Sequence, residues 1–244
     1  PNFDDIIPYR RESDNGDIDK GNPNLKYPFS MNLDLLAERY LSANGIVSGG
    51  LFYKRIDNFV FNYVRRAHEG ENFNLYGLRE ITMAVNGIEA FVYGAEIQSQ
   101  FRFSKTPGFY RNVGLYFTYT FTESTAYISK RYPQNEKDVV FEFDDYSSDF
   151  FTDSDEIEEI PLPGQAAHTI NTALFYDSPR VYIKLAANFH TPFLYELGND
   201  RELDVYYDRS FHLDFNANYL LTENISIFVD MINLTDAPLR FYMG

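Results

Sequence analysis

The chain has 244 residues, a net charge of −15, a mean hydropathy of −0.37 and no cysteine, which excludes disulfide frameworks and thiolate metal centres. Tyr and Phe make up the 18% aromatic content. No stretch approaches the roughly 18 uninterrupted apolar residues of a spanning helix, and the acidic balance argues against a nucleic-acid partner, because phosphate binding needs clustered Lys and Arg.

A transmembrane β-barrel passes these filters, since its strands carry apolar residues only at alternate positions and read as polar on average. The start, Pro1 to Arg11, lacks the charged and apolar regions of a signal peptide. Either a leader has been removed or the chain begins partway through a longer polypeptide. Residues 1–26 read as an outside loop. Phe29, Met31, Leu33, Leu35 and Ala37 then alternate with Ser30, Asn32, Asp34 and Glu38, the period-two pattern of a strand whose faces meet different surroundings. Ala43-Asn44-Gly45 is a tight hairpin signal. Ile46 to Asn62 returns, with Gly49 and Gly50 reading as a bend. A polar loop covers 63–80, and Ile88 to Phe103 forms the next strand with a change of parity near Gly94.

Beyond a turn at Ser104 to Asn112 the alternation is strict. Val113, Leu115, Phe117, Tyr119 and Phe121 oppose Gly114, Tyr116, Thr118, Thr120 and Thr122. A long loop occupies 129–162. Val181, Ile183, Leu185, Ala187 and Phe189 repeat the design after the turn at Asp177-Ser178-Pro179. Phe211, Leu213, Phe215, Ala217 and Tyr219 repeat it again after a loop at 193–206, and a turn at Leu221 to Asn224 leads to the last strand. These faces run the roughly 9 to 11 residues that a tilted strand needs to cross a bilayer. Short turns alternate with long loops, the asymmetry of bacterial outer-membrane barrels. The expectation is an all-β, antiparallel transmembrane barrel, about eight strands of a larger one, with lipid outside and Thr118, Thr120, Asn188, Asp214, Asn216 and Asn218 facing the lumen. A closed eight-stranded barrel is the alternative fold. A soluble sandwich or lipocalin-like binder is the alternative outside the membrane.

Several segments resemble the barrel of TonB-dependent receptors, particularly those common in Bacteroidetes. They are Pro1-Asn2-Phe3-Asp4-Asp5-Ile6-Ile7-Pro8 with Gly21-Asn22-Pro23-Asn24-Leu25-Lys26, then Phe52-Tyr53-Lys54-Arg55-Ile56-Asp57-Asn58, and Asn86-Gly87 with Tyr93-Gly94-Ala95-Glu96. Leu162-Pro163-Gly164-Gln165 with His168 and Asn171, and Asn233-Leu234-Thr235-Asp236-Ala237-Pro238-Leu239-Arg240, complete the set. The sequence shows no plug domain, no TonB box and no final strand ending in an aromatic. What the resemblance implies is part of a plugged transporter in the bacterial outer membrane, importing a scarce nutrient such as a siderophore, haem, cobalamin, an oligosaccharide or a peptide. Its implied partners are membrane lipid, its own plug and through it TonB, the nutrient, and a surface lipoprotein. A passive or structural barrel is the alternative function.

No catalytic signature such as a Gly-x-Ser-x-Gly elbow stands out, and no enzyme is expected. The long loop gathers ten acids, from Asp138 to Glu159, without Lys or Arg among them. A solvated loop is the ordinary reading of such a block. Ca²⁺ is the sharper one, with Asp153, Asp155 and Glu156 as ligands, because hard carboxylate oxygens suit that ion. Interleaved aromatics, Tyr146 among them as a ligand contact, point to part of the loop folding over the barrel mouth. Arg65, Arg66 and His68 form a small basic cluster that would grip an anionic ligand such as a siderophore or a sugar acid; balancing the acidic neighbour is its plainer role. His168, His190 and His212 read as hydrogen-bonded structural groups.

Overall fold

A computed structural model describes residues 3–14, 17–41, 45–66, 80–131, 156–198 and 201–244. After one helical turn, α1 (Phe3–Ile6), come two short strands, β1 (Arg10–Glu12) and β2 (Ile18–Lys20), and the long β3 (Phe29–Leu41). β4 (Gly45–Asp57) returns beside it. A hairpin, β5 (Val60–Arg66) and β6 (Glu80–Asn86), precedes β7 (Glu89–Arg102), and a 3-10 turn at Gly108–Asn112 leads into β8 (Val113–Ser129). The second half holds β9 (Ile157–Ile160), β10 (His168–Asp177), β11 (Val181–His190), β12 (Phe193–Glu196), β13 (Val205–Tyr207), β14 (Ser210–Thr222), β15 (Ile225–Met231) and β16 (Phe241–Met243).

Eight long strands form an antiparallel meander in the order β3-β4-β7-β8-β10-β11-β14-β15. Their number matches the eight or so strands expected from the sequence, four of them read from clean alternation and the rest from the segments between turns and loops. β3 and β15 are the two ends of this order and do not pair with each other, so the strands make an open arc of wall and not a closed eight-stranded barrel. The connections at Leu41/Gly45, Arg102/Val113, Asp177/Val181 and Thr222/Ile225 all lie at one end of the wall. The described parts of the longer connections, with β5, β6, β9, β12 and β13, lie at the other.

The ladder register shows what the alternation is for. Leu35, Leu51, Ala95 and Phe121 stand side by side across β3, β4, β7 and β8. Leu115, Leu174, Leu185 and Phe215 continue the same face across β8, β10, β11 and β14. Since opposed residues in a ladder share a face, four alternations read separately from the sequence merge into one continuous apolar surface. That surface is not covered: Leu33, Leu35 and Leu51 are 69%, 68% and 58% exposed. A two-sheet sandwich would bury these rows against each other, and the structure excludes that arrangement.

Three details of the sequence reading are corrected. The strand read from Ile46 to Asn62 ends at Asp57, because Asn58 takes a positive φ of 54° and Val60 begins β5 of the hairpin. No bend interrupts β4 at Gly49-Gly50, because its pairing with β3 and β7 runs unbroken from end to end. Nor does β7 change parity at Gly94. Its start looks apolar on both faces because Ala90 and Val92 are buried on the otherwise polar face. Gly94 instead allows close approach: a Cβ there would lie 2.0 Å from the Phe121 carbonyl oxygen and 2.5 Å from the Phe52 ring.

At the long-loop end a conventional core takes over. Phe59, Phe61, Tyr63, Met83 and Val85 of the β5–β6 hairpin pack with Ile160 of β9 and with Leu194 and Leu197 over Ala90, Ala126 and Ile128 of the wall. Burial of this kind stabilises by roughly 1.5–3 kcal/mol for each large apolar side chain. Several family-like segments fasten this cap. Asn22 donates to the Ala84 carbonyl at 3.1 Å and Asn86 donates to the carbonyls of Lys26 and Asn58, both at 2.9 Å, which ties the N-terminal segment to β5 and β6. Gly87 has no room for a side chain, since a Cβ would meet the Phe59 ring at 2.1 Å. Asn233 closes the turn after β15 on itself, accepting from the Ala237 N–H at 2.9 Å and donating to its carbonyl at 3.1 Å.

Candidate functional site

Two surfaces carry the polar chemistry, the inner face of the wall and the cap above it. On the inner face, Tyr116, Thr118 and Thr120 of β8 lie in register with Ala173, Asn171 and Thr169 of β10, Asn171 with Asn188 of β11, and Thr122 with Gly94 of β7. Thr118 donates to the Tyr116 hydroxyl at 2.8 Å. Asn188 donates to Asp214 at 3.4 Å, and the other Asp214 oxygen accepts from the Asn233 N–H at 2.8 Å. Asn216 donates to Asp230. All of the lumen residues predicted from the sequence therefore fall on the face opposite the apolar rows. Such a surface hydrogen-bonds water or a second polar body. It also holds a cavity of about 360 Å³ over Gly50, lined by Asp34, Leu36, Phe52, Lys54 and Glu96 among others.

In the cap, the end of β8 meets β9 and the segment before β13 around one side chain. Arg131 is 1% exposed and Asp204 2%. The Arg131 guanidinium reaches Glu158 at 2.7 Å and Asp204 at 2.5 Å and donates to the Gly198 carbonyl at 3.0 Å. The Gly198 N–H closes the ring by donating to Asp204 at 3.0 Å. Burial works against the charge on Arg131, but the hydrogen bonds it donates to both carboxylates outweigh it and hold the group protonated above its ordinary range. Glu158 likewise feels burial first, and Arg131 overcomes it to hold the carboxyl below its ordinary value. Burial prevails at Asp204 and pushes it up, against the hydrogen bonds from Arg131 and Gly198. A charge this deep is tolerated only when paired and hydrogen-bonded. The cluster therefore pins three segments together.

Sequence reasoning missed this cluster. Its signal is faint: Lys130-Arg131 are an ordinary pair of cations a few residues before the acidic block, and Glu158 and Asp204 follow after long intervals. Among the sequence-predicted site residues, Arg65 and Arg66 close β5, their backbones paired with Ile81 and Glu80 of β6. His68, Tyr146, Asp153 and Asp155 lie outside the described residues. Glu156 forms an ion pair with Lys130 at the base of the acidic block. The histidines are dispersed. His168 stacks on Tyr119 on the apolar face, 2.9 Å from its hydroxyl, whereas His190 stacks on Tyr207 and His212 contacts Ser210 at 2.5 Å. Among the described residues no group of three or more His, Asp or Glu is arranged to hold a metal ion.

Comparison with known proteins places these surfaces in a wider setting. The family model described as TonB dependent receptor-like, beta-barrel, matches residues 1–234. No curated protein matches the chain. Among solved structures, the ferric enterobactin receptor PfeA of Pseudomonas aeruginosa superposes with a TM-score of 0.53 at 15% identity, over 97% of this chain and 31% of that one. The siderophore receptor PirA of Acinetobacter baumannii gives 0.51 at 14%, over 90% and 29%. The ferric-catecholate import receptor Fiu of E. coli K12 gives 0.51 at 16%, over 89% and 25%. The chain thus spans less than a third of the length of these three structures, and at such identities the likeness speaks for the fold.

Proposed function

Because the chain belongs to the β-barrel family of TonB-dependent receptors, whose members are outer-membrane proteins, we propose that it forms part of the wall of a nutrient importer in a bacterial outer membrane. The observation that carries this reading is the single apolar face, exposed across eight strands, set against a face of Thr, Asn and Asp. Hydrocarbon is the solvent that stabilises such a face, because the apolar side chains gain there what they would lose in water. The polar face would then hydrate a lumen or contact a plug supplied by the rest of the receptor. The cap would sit on the extracellular side, where a ligand arrives, and the short turns on the periplasmic side.

Energy coupling through TonB and capture of a small scarce nutrient, with or without a surface lipoprotein, follow from the family and not from any site resolved in this stretch. Its cargo would be a siderophore, haem, cobalamin, an oligosaccharide or a peptide. For the acidic block, Ca²⁺ is the ion we propose, held by Asp153 and Asp155; the pairing of Glu156 with Lys130 competes with its use as a third ligand. Among the described residues nothing in the arrangement invites a catalytic role.

The test takes two steps. Fractionation of the full-length protein should recover it only with detergent, in the outer-membrane fraction; extraction by buffer alone would end the proposal. Growth on a limiting nutrient should then depend on both this receptor and the TonB protein. Growth that needs the receptor but persists without TonB would identify a passive barrel instead.

A further inference from the structure

We propose that the short-turn rim of the wall, centred on the 103–112 connection, docks the anionic headgroups of phospholipids. The inference rests on the membrane placement above and adds the chemistry of the leaflet that this end would meet.

The rim departs from the rest of the chain in charge. Against a net charge of −15, Arg39, Lys105, Arg111 and Arg180 are all exposed at this end and, among the described residues, have no ion-pair partner. The nearby acids do not offset them. Asp177 is engaged by Arg102, Glu38 stands on the polar face in register with Ser48, and only Glu223 lies in a turn. Unpaired cations gathered at one end of an acidic protein set up a local field that attracts a negative surface.

Aromatic side chains stand beside these cations. Phe109 and Tyr110 are 62% and 64% exposed. Phe109 nonetheless has a fixed seat, stacked on Tyr176 of β10 with ring centroids 4.6 Å apart and planes 15° from parallel. Asn112 donates to the Tyr176 hydroxyl at 3.4 Å. Tyr176 belongs to the apolar face, in register with Val113 and Ile183, so the stack carries the connection round the lower margin of the apolar band. Phe101 and Phe103 make an edge contact at 5.2 Å at the same margin. Rings held at the boundary of an apolar band, next to cations in water, match the layering of acyl chain, glycerol and phosphate in a bilayer. A free phosphate would have no use for the rings, which is why the lipid is the occupant proposed.

The full polypeptide that carries these residues would be reconstituted in vesicles of phosphatidylcholine mixed with phosphatidylglycerol. Lipids retained after mild detergent extraction would then be quantified by native mass spectrometry. Phosphatidylglycerol should be enriched, and the enrichment should shrink as salt is raised. It should fall roughly fivefold for each cation removed in Lys105→Gln, Arg111→Gln and Arg180→Gln, whereas Arg111→Lys should retain it, because a surface field needs charge and not a guanidinium fork. Equal retention of the two lipids by the wild type, or enrichment unchanged in the triple variant, overturns the proposal and leaves the membrane reading standing. Enrichment abolished by inorganic phosphate at matched ionic strength also overturns it, in favour of a simple anion site. Failure of the wild type to enter vesicles of either composition overturns both.

Discussion

The wall and the cap use the same apolar residue types in opposite ways. Leu33, Leu35 and Leu51 of the wall project outward and are exposed, while Leu194 and Leu197 of the cap are 1% and 0% exposed. One chain therefore answers to two solvents. The wall places its apolar side chains where hydrocarbon would surround them and keeps hydrogen-bonding groups on the other face. The cap stands in water and builds a small core by the rules of soluble proteins, with a buried ion cluster where three segments converge. The difference teaches that hydrophobicity alone does not say where a residue goes; the medium on each side of the backbone does.

The largest expected effect breaks the cap alone. Arg131→Met leaves Asp204 buried without its partner and should cost about 3–5 kcal/mol. Hydrogen exchange should then accelerate in β9 and β13 while β8, β10 and β11 stay protected. Replacing Glu158 and Asp204 by Leu in the same variant should restore most of the protection, since a well-packed apolar cluster serves in place of buried charge. If the single variant exchanged like the wild type, the pinning role would be wrong.

Leu194→Ala comes next, at about 2–5 kcal/mol for truncating a fully buried leucine. Limited proteolysis should cut the segment near β12 sooner, and the wall should again be untouched. Cleavage spreading at the same rate into the long strands would show that wall and cap are one cooperative unit.

The wall is tested by position and not by residue type. Phe117→Arg or Ala187→Arg, further in from the rim than Leu115 and Leu185, should cost on the order of 2–4 kcal/mol near the midplane and block membrane assembly, read as loss of the folded band in unheated gels. Thr118→Arg and Asn188→Arg, on the other face, should assemble normally. Equal tolerance at both faces would defeat the assignment of sides. The smallest effect sharpens the geometry inside the wall. Gly94→Ala must push β8 and Phe52 aside, at about 1–3 kcal/mol for overpacking, while Gly49→Ala in β4, where the nearest atom to a new Cβ is 3.8 Å away, should be nearly neutral in thermal melts.

Period-two alternation together with the order of short turns and long loops determined the eight wall strands, the polar identity of the lumen face and the end at which the short turns lie. These were legible because facing and hairpin chemistry are local properties: each residue's side of the sheet follows from its neighbour's, and Asn-Gly or Ser-Pro announces its own turn. The cap was not legible in the same way. Its short strands looked like loops, Ala90 and Val92 looked like a parity error, and Arg131 stood out in no local pattern. Each is explained by partners far away in the chain, Arg131 and Asp204 by 73 residues and Asn22 and Ala84 by 62. Tertiary structure alone decided those pairings, because burial of a polar or apolar group is stabilising only when its partner is already in place, and no local pattern records where that partner will be.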